Sequence, residues 1–305
     1  MEIGLGLAAL GRPGYINLGH GADIADTRRE AMERRAHAVF DAAYDAGVRA
    51  FDAARSYGAA EAFLASWLER RGLAPADVYV SSKWGYSYTA AWRVDAAEHE
   101  VKDLSAGRLR GQWAQTRALL GDHVRLYQIH SATLESGVLD DAAVLAELAA
   151  LRADGIRIGL TVTGADQPAT IDRALAVGGF DAVQATWNLH ERAAGPALAR
   201  AHAAGLRVYV KEALANGRLT ARGSNAALAA AAREREATED ALAIAAVLAR
   251  PWADVVLSGA ATVGQLASNL AARALTWDDE LERRLADLAE DPAAYWAARS
   301  ELAWN

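Results

Sequence analysis

The sequence predicts a single eight-stranded α/β barrel, the (β/α)8 or TIM-barrel architecture, over residues 1–305. Three observations lead to this fold. Short apolar segments alternate strictly with longer amphipathic segments, as the strands and helices of a parallel sheet do. The alternation repeats eight times, which favours closure into a barrel over an open sheet. No linker rich in Pro, Gly or Ser interrupts the chain, so we expect one domain.

The predicted strands are apolar on both faces, as strands are when helices cover them. Most of the amphipathic segments that follow them end on Gly, a common helix stop. Strands are expected at residues 3–7, 48–51, 78–82, 124–129, 156–161, 180–185, 206–211 and 253–258. Helices are expected at 33–47, 59–72, 109–121, 140–155, 168–179, 194–205, 238–250 and 262–273, with two extra C-terminal helices at 277–290 and 292–304.

The longest segments without periodicity follow the first, third and seventh strands, at residues 11–29, 83–106 and 212–234. They therefore lie at the C-terminal ends of strands, where barrels of this kind carry their active sites. We expect these three segments to shape the substrate pocket.

Composition excludes several classes of function. The chain has no Cys, which rules out disulfides, thiolate metal sites and a Cys nucleophile, and its His residues show no metal-ligand spacing, so we expect no metal. A net charge of −7 with basic residues interleaved among acids argues against nucleic acid as a partner. No long apolar run and no signal-peptide pattern is present, so we expect a cytoplasmic protein without a membrane partner.

Polar residues stand where three predicted strands end. Asp52 follows the second strand, Lys83 the third and His130 the fourth, and Tyr57 lies five residues beyond Asp52. Because the strand ends of a barrel converge on one mouth, we expect the four side chains to meet there. This group of four residues, the tetrad, is the candidate catalytic set.

The residue types of the tetrad suit proton transfer to an oxygen. Asp52 would hold Lys83, since a buried ammonium needs a counter-ion. An ammonium near a phenol is expected to lower the pKa of Tyr57, which would then act as the acid. His130 would orient the substrate oxygen. No Ser, Cys or metal cluster offers a nucleophile, so a hydride from a bound cofactor fits best.

These residues stand in segments that resemble the aldo-keto reductase family over nearly the whole chain. AAYDAGVRAFDAARSYG (42–58) is similar to the family segment with Asp and Tyr, SSKWG carries its Lys and VRLYQIH its His. The resemblance implies a barrel enzyme that interconverts an aldehyde or ketone and an alcohol with NADP(H). A small carbonyl or sugar-like molecule would be the substrate.

The resemblance also implies a cofactor site. Gln184 would hold the nicotinamide carboxamide and Trp187 would stack on the ring; Thr161 stands where the family has Ser. KEALANGRL (211–219) resembles the loop over the pyrophosphate, and LSGAATVGQLASNL (257–270) the segment that binds the adenosine phosphate at a helix N-terminus. The remaining cofactor candidates are Leu214, Gly217, Gly259, Thr262, Gln265 and Asn269.

Three departures from the family pattern bear on function. No Lys or Arg stands at the positions that pair with the 2′-phosphate, so NAD(H) is an alternative to NADP(H). Val162 replaces a residue that would bond the carboxamide. The chain starts directly at the first strand, so the N-terminal hairpin that often plugs the barrel bottom is expected to be missing. In the pocket loops, Tyr15 and Trp84 are the candidates for the substrate wall.

Two other functions remain open at this point. The chain could be a cofactor-bound regulatory subunit without catalytic activity. It could also be a non-redox barrel enzyme, such as a lyase or epimerase, with Tyr57 and His130 as acid and base. Binding of a dinucleotide and turnover of a carbonyl would separate these from the reductase.

Overall fold

The structure, a computed structural model, describes residues 1–305 and contains a closed barrel of eight parallel strands. Each strand pairs with the next along the chain, and the first also pairs with the eighth. The predicted barrel is thereby confirmed, with strand ends within three residues of those expected. The strands are β1 (Glu2–Gly6), β2 (Ala50–Asp52), β3 (Tyr79–Trp84), β4 (Val124–Ala132), β5 (Arg157–Val162), β6 (Ala182–Thr186), β7 (Arg207–Lys211) and β8 (Val255–Ser258).

Helices surround the barrel and cover its outer face. Large apolar clusters fill the layer between strands and helices, while a small cluster that includes Leu126 and Tyr209 fills the barrel interior. The helices are α1 (His20–Asp23), α2 (Arg29–Asp45), α3 (Ala60–Arg71), α4 (Ala106–Leu120), α5 (Ala142–Ala153), α6 (Gln167–Val177), α7 (Gly195–Ala203), α8 (Ala226–Glu234), α9 (Glu239–Leu248), α10 (Val263–Leu270), α11 (Asp279–Arg284) and α12 (Pro292–Ser300). None of them combines the length and apolar character needed to cross a membrane.

The helix expected at 277–290 is shorter than the sequence pattern indicates. α11 ends at Arg284, and a single 3₁₀ turn follows at Ala286–Leu288. His190 explains the break: its Nδ1 lies 2.8 Å from the carbonyl oxygen of Leu288, and its own carbonyl accepts from the amide of Glu290 at 2.8 Å. Tertiary hydrogen bonds have here replaced helical ones.

The three long loops contain regular structure that periodicity did not reveal. The first holds α1, and the third holds α8. The second forms an antiparallel hairpin, in which Tyr86–Tyr88 pairs with Glu100–Lys102. α1, the hairpin and the part of the third loop that precedes α8 line the mouth of the barrel.

Candidate active site

A buried ion pair lies at the base of the mouth. Lys83 in β3 binds the carboxylate of Asp52 in β2 and also donates to the carbonyl oxygen of Ala53 at 2.9 Å. The second carboxylate oxygen of Asp52 accepts from Ser81 Oγ at 2.6 Å and from Gln128 Nε2 at 3.2 Å. Both charged side chains are almost fully buried. The surrounding donors satisfy the carboxylate, which a buried charge requires.

Tyr57 and His130 lie together above this pair. The two rings meet edge to face with their centroids 5.5 Å apart, and Lys83 Nζ lies 4.8 Å from the Tyr57 ring centroid. A break in the β4–β5 register between Ile129 and Ala132 lies where His130 leaves the regular strand, and the next residue has φ near +54°. The structure therefore brings together all four tetrad residues that the sequence predicted at the strand ends.

Burial is the main influence on the pKa of both rings. It raises the pKa of Tyr57 well above its ordinary value, with a further rise from Asp52. Burial, followed by the charge of Lys83, lowers the pKa of His130 well below its ordinary value. Both rings are consequently neutral at pH 7. The expected lowering of the Tyr57 pKa by Lys83 was wrong, because Asp52 neutralises that ammonium and desolvation dominates.

Arg12 is a fifth charged residue at the tetrad, which sequence reasoning missed. Only 2% exposed, it donates to the carbonyl oxygen of Ser56 at 3.1 Å and to Glu100 at 2.6 Å. Its guanidinium carbon lies 5.4 Å from the Tyr57 ring centroid and 4.7 Å from that of Trp304, within cation–π range. It is the main charge that lowers the pKa of Tyr57 against the effect of burial.

A cavity of about 600 Å³ opens from the tetrad across the barrel mouth. Asp52, Tyr57 and His130 line it, while Lys83 lies buried beneath. Two loops meet at its wall: the amide of Leu18 donates to the carbonyl of Asn216 at 2.9 Å, and several further contacts join residues 17–23 to residues 216–222. Most of the predicted cofactor residues line the same cavity: Thr161, Gln184, Leu214, Gly217, Gly259, Gln265 and Asn269.

Two predicted cofactor residues do not line the cavity. Trp187 is buried in the core with its ring 5.7 Å from that of Trp252, so the expectation that it stacks on a nicotinamide was wrong. Side chains alternate along and just past a strand, and because Gln184 faces the cavity, Trp187 faces the helices. Thr262 caps α10 instead, with Oγ1 accepting from the amide of Gln265 at 3.2 Å.

The two candidates for the substrate wall have different outcomes. Tyr15 lines the cavity beside the tetrad. Trp84 is fully buried in the core between the barrel and its helices, so its placement on the substrate wall was wrong. The reason is again alternation, since Lys83 points inward to Asp52 and the next residue of β3 points outward. Tyr86 of the hairpin instead reaches His130, with ring centroids 4.9 Å apart.

Orphaned polar atoms in the cavity fit a dinucleotide. The buried Nε2 atoms of Gln184 and His20 and Oδ1 of Asn216 have no hydrogen-bond partner, and all three residues line the cavity. Buried polar groups without partners are costly, so a ligand that forms hydrogen bonds with these three atoms would bind more tightly. The free amide of Gln184 suits the carbonyl of a carboxamide. Thr161 Oγ1 already accepts from the amide of Ser131 at 2.7 Å, which leaves its hydroxyl proton as a donor.

The far end of the cavity is acidic. Asp23 and Asp240 line it beside Gln265, whose Nε2 donates to Asp23 at 2.7 Å. The one cation there, Arg222, binds Asp23 through both terminal nitrogens at 2.7 and 2.6 Å. Arg222 lies outside residues 257–270, the segment expected to bind the adenosine phosphate.

A second group of charges follows β7. Glu212 is bound by Arg299 of α12, whose Nε donates to its two oxygens at 3.1 and 2.9 Å. Lys211, the last residue of β7, lies beside this pair and lines the cavity. A charged residue at the C-terminal end of a strand was the signal that identified Lys83, and the same signal could have identified Lys211.

Solved structures share this architecture. The holo form of an aldo-keto reductase from Bacillus halodurans is 19% identical, with 95% of this chain and 92% of that chain covered and a TM-score of 0.72. A glycerol dehydrogenase from Gluconobacter oxydans is 20% identical, with 94% and 90% covered and a TM-score of 0.69. At such identities the likeness shows the fold. No curated protein sequence matches the chain.

The family assignment rests on the sequence itself. The model of the Aldo/keto reductase family matches residues 2–290, nearly the whole chain. The match spans the tetrad and every cavity-lining residue except Arg299. The chain therefore belongs to the aldo/keto reductase family.

Proposed function

We propose that this protein is an oxidoreductase that interconverts a carbonyl group and an alcohol with a nicotinamide dinucleotide. The observation that carries the proposal is the placement of Tyr57 and His130, both neutral, above a buried Lys83–Asp52 pair and at the wall of the cavity. A small aldehyde, ketone or sugar-like carbonyl compound is the proposed substrate class.

Each residue of the tetrad has a distinct role in the proposal. The neutral imidazole of His130 donates to the substrate oxygen and fixes its angle. Tyr57 gives its proton to that oxygen as negative charge develops, and takes it back in the reverse direction. Lys83, held by Asp52, lies beneath the Tyr57 ring, 4.8 Å from its centroid, while Arg12 supplies the charge that favours the phenolate that remains. When bound, the reduced nicotinamide supplies the hydride for the carbonyl carbon.

The residues present fit a dinucleotide at the other parts of the cavity. Gln184 and Thr161 would hold the carboxamide. Leu214 and Gly217, in the loop that contacts Leu18, would lie over the pyrophosphate, and Gly259, Gln265 and Asn269 would hold the adenosine. Trp187 has no part in this arrangement.

NAD(H) is the cofactor that we propose. A 2′-phosphate needs a charged partner, and the cation that lines the adenosine end, Arg222, is already paired with Asp23. Asp240 adds a second carboxylate, which would repel a phosphate and accept hydrogen bonds from ribose hydroxyls.

Titration with NADH and with NADPH, followed by quenching of Trp fluorescence, tests the proposal first. We expect NADH to bind and the purified protein to oxidise it in the presence of an aldehyde. A protein that binds dinucleotide but turns over no carbonyl would fit a regulatory subunit. Absence of binding up to millimolar concentration would contradict the hydride mechanism and favour an acid–base enzyme.

A further inference from the structure

The charges at the catalytic end of the cavity do not balance. Three carboxylates are present there, and each has its own cation. Asp52 binds Lys83, Glu100 binds Arg12, and Glu212 binds Arg299. Lys211 is the fourth cation and has no carboxylate of its own. The charged side chains that line this end of the cavity, together with the cations bound to them, therefore carry a net charge of +1; Lys102 is exposed and does not line the cavity.

The ammonium of Lys211 has hydrogen-bond donors without a protein partner. Its Nζ donates to Thr186 Oγ1 at 3.1 Å, and this is its one hydrogen bond. The nearest carboxylate oxygen, Oε1 of Glu212, is 3.9 Å away, and both oxygens of that carboxylate are engaged by Arg299. The Trp296 ring centroid lies 5.8 Å from Nζ. An ammonium has three donors, so two remain for a ligand in the cavity.

The position of Lys211 connects it with the reacting centre. It lines the same cavity as Tyr57 and His130, and its charge contributes to the lowered pKa of His130, second among charges only to Lys83. Burial lowers the pKa of Lys211 to about 8, while Glu212 opposes the shift. The ammonium is thus still charged at pH 7, in a desolvated site where an anion would stabilise it.

The composition of the chain adds to the argument. Of its 32 basic residues only three are lysines, at positions 83, 102 and 211. Lys83 holds Asp52, and Lys102 lies on the hairpin beside the mouth, where its Nζ donates to the carbonyl of Ser131 at 2.8 Å. All the lysines therefore lie around the catalytic end. Lysine presents a compact, strongly hydrated point charge on a flexible stem, whereas Arg presents a planar fork.

We propose that Lys211 is the anchor for a carboxylate of the substrate, so that the preferred carbonyl compounds are oxo acids rather than neutral aldehydes. This inference rests on the proposed carbonyl chemistry. A monoanion matches the surplus charge of +1 and the two free donors of the ammonium. The carbonyl oxygen would bind Tyr57 and His130 while the carboxylate reaches Lys211.

A matched pair of aldehydes tests the inference by kinetics. 4-Oxobutanoate and butanal have the same chain length and differ in the terminal carboxylate. In Lys211→Met we expect kcat/KM for 4-oxobutanoate to fall roughly tenfold or more through KM, as the loss of a charge-assisted bond predicts, with butanal little changed. Lys211→Arg keeps the charge and should retain part of the preference. An equal loss for both aldehydes would overturn the proposal, because Lys211 would then serve the cofactor or the reacting oxygen.

A binding measurement separates this inference from the proposed reaction. Labelling with [ε-¹³C]lysine gives one NMR signal for each of the three lysines, and Lys211→Arg identifies the one of interest. We expect 4-hydroxybutanoate to raise the pKa of Lys211, since a bound anion favours the ammonium, and butan-1-ol to leave it unchanged. An unchanged Lys211 signal with 4-hydroxybutanoate would overturn the anion site even if carbonyl reduction is found. Failure of the reaction alone would show as no turnover of either aldehyde.

Discussion

The guanidinium of Arg12 lies over the ring of Tyr57, 5.4 Å from its centroid, and is fixed there by the carbonyl of the preceding residue, Ser56. This contact joins the loop after β1 to the loop after β2. The charge of Arg12 opposes the rise in the Tyr57 pKa that burial causes. Arg12 is thus a positioning residue for the proposed acid.

Replacement of Arg12 should alter the pH profile. In Arg12→Met the pKa of Tyr57 rises further. Alcohol oxidation requires the Tyr57 phenolate, so the pH at which its rate increases should move to a higher value. We expect kcat for reduction to fall about tenfold, less than the loss of the acid itself. Arg12→Lys keeps a charge and should restore part of the profile. If the rate fell equally at every pH and the pH profile of alcohol oxidation did not shift, Arg12 would have a structural role alone.

Removal of the Tyr57 hydroxyl tests the acid directly. Tyr57→Phe keeps the ring against His130 but has no proton to give, so carbonyl reduction should slow by about 10²–10⁴. Dinucleotide affinity, measured by Trp fluorescence, should stay at its wild-type value. A variant that retains full activity would exclude Tyr57 as the acid.

The buried ion pair should respond to single and double replacement in different ways. Asp52→Asn leaves Lys83 buried without its counter-ion, and breaking such a pair costs about 3–5 kcal/mol of unfolding free energy. Asp52→Asn with Lys83→Met removes both charges and should recover much of that loss, although not the activity. Chemical denaturation of both variants measures the difference. A double variant as unstable as the single one would contradict the pairing argument.

Cofactor preference should depend on Asp23. Asp23→Asn frees Arg222 from its carboxylate, so that it can pair with a 2′-phosphate, and we expect NADPH to gain roughly tenfold in affinity relative to NADH. Asp26→Asn is the matched control, because Asp26 pairs with Arg28 on the surface in the same loop. Fluorescence titrations of both variants with NADH and with NADPH measure this change in relative affinity. An equal change in the two variants would point to the loop rather than to the charge.

The carboxylate preference should vanish at high pH. The pKa of Lys211 is lowered to about 8, so its charge is present below that value and is lost as the pH rises through it. KM for 4-oxobutanoate should therefore increase above about pH 8, whereas KM for butanal should not. Three other titratable groups lie around Lys211. The pKa of Glu212 is lowered to about 2 by Arg299 and Lys211, the pKa of Arg299 is raised by Glu212, and burial holds the pKa of His130 well below its ordinary value. None of these groups therefore changes its charge near pH 8. The Asp52–Lys83 pair affects both substrates alike. Parallel profiles for the two aldehydes would contradict the role of Lys211.

Some errors in the sequence-based predictions could have been avoided with local rules. Lys83 and Trp84 are neighbours on one strand, so they point to opposite faces, and only one of them could face the cavity. By the same rule Gln184 and Trp187 point to opposite faces of the sheet, so only Gln184 faces the cavity. Thr262 directly precedes an apolar helical pattern, which is the signature of an N-cap.

The sequence by itself determined the barrel and the positions of the tetrad. Strand and helix periodicities are local properties, their alternation restricts the sheet to parallel pairing, and closure brings the ends of β2, β3 and β4 to one mouth. Only the tertiary structure decided which charges neutralise each other. Arg12 and Glu100 are 88 residues apart, and Glu212 and Arg299 are 87 apart. Such pairing depends on how distant loops and helices pack, and so do the burial that keeps Tyr57 protonated and the surplus charge on Lys211.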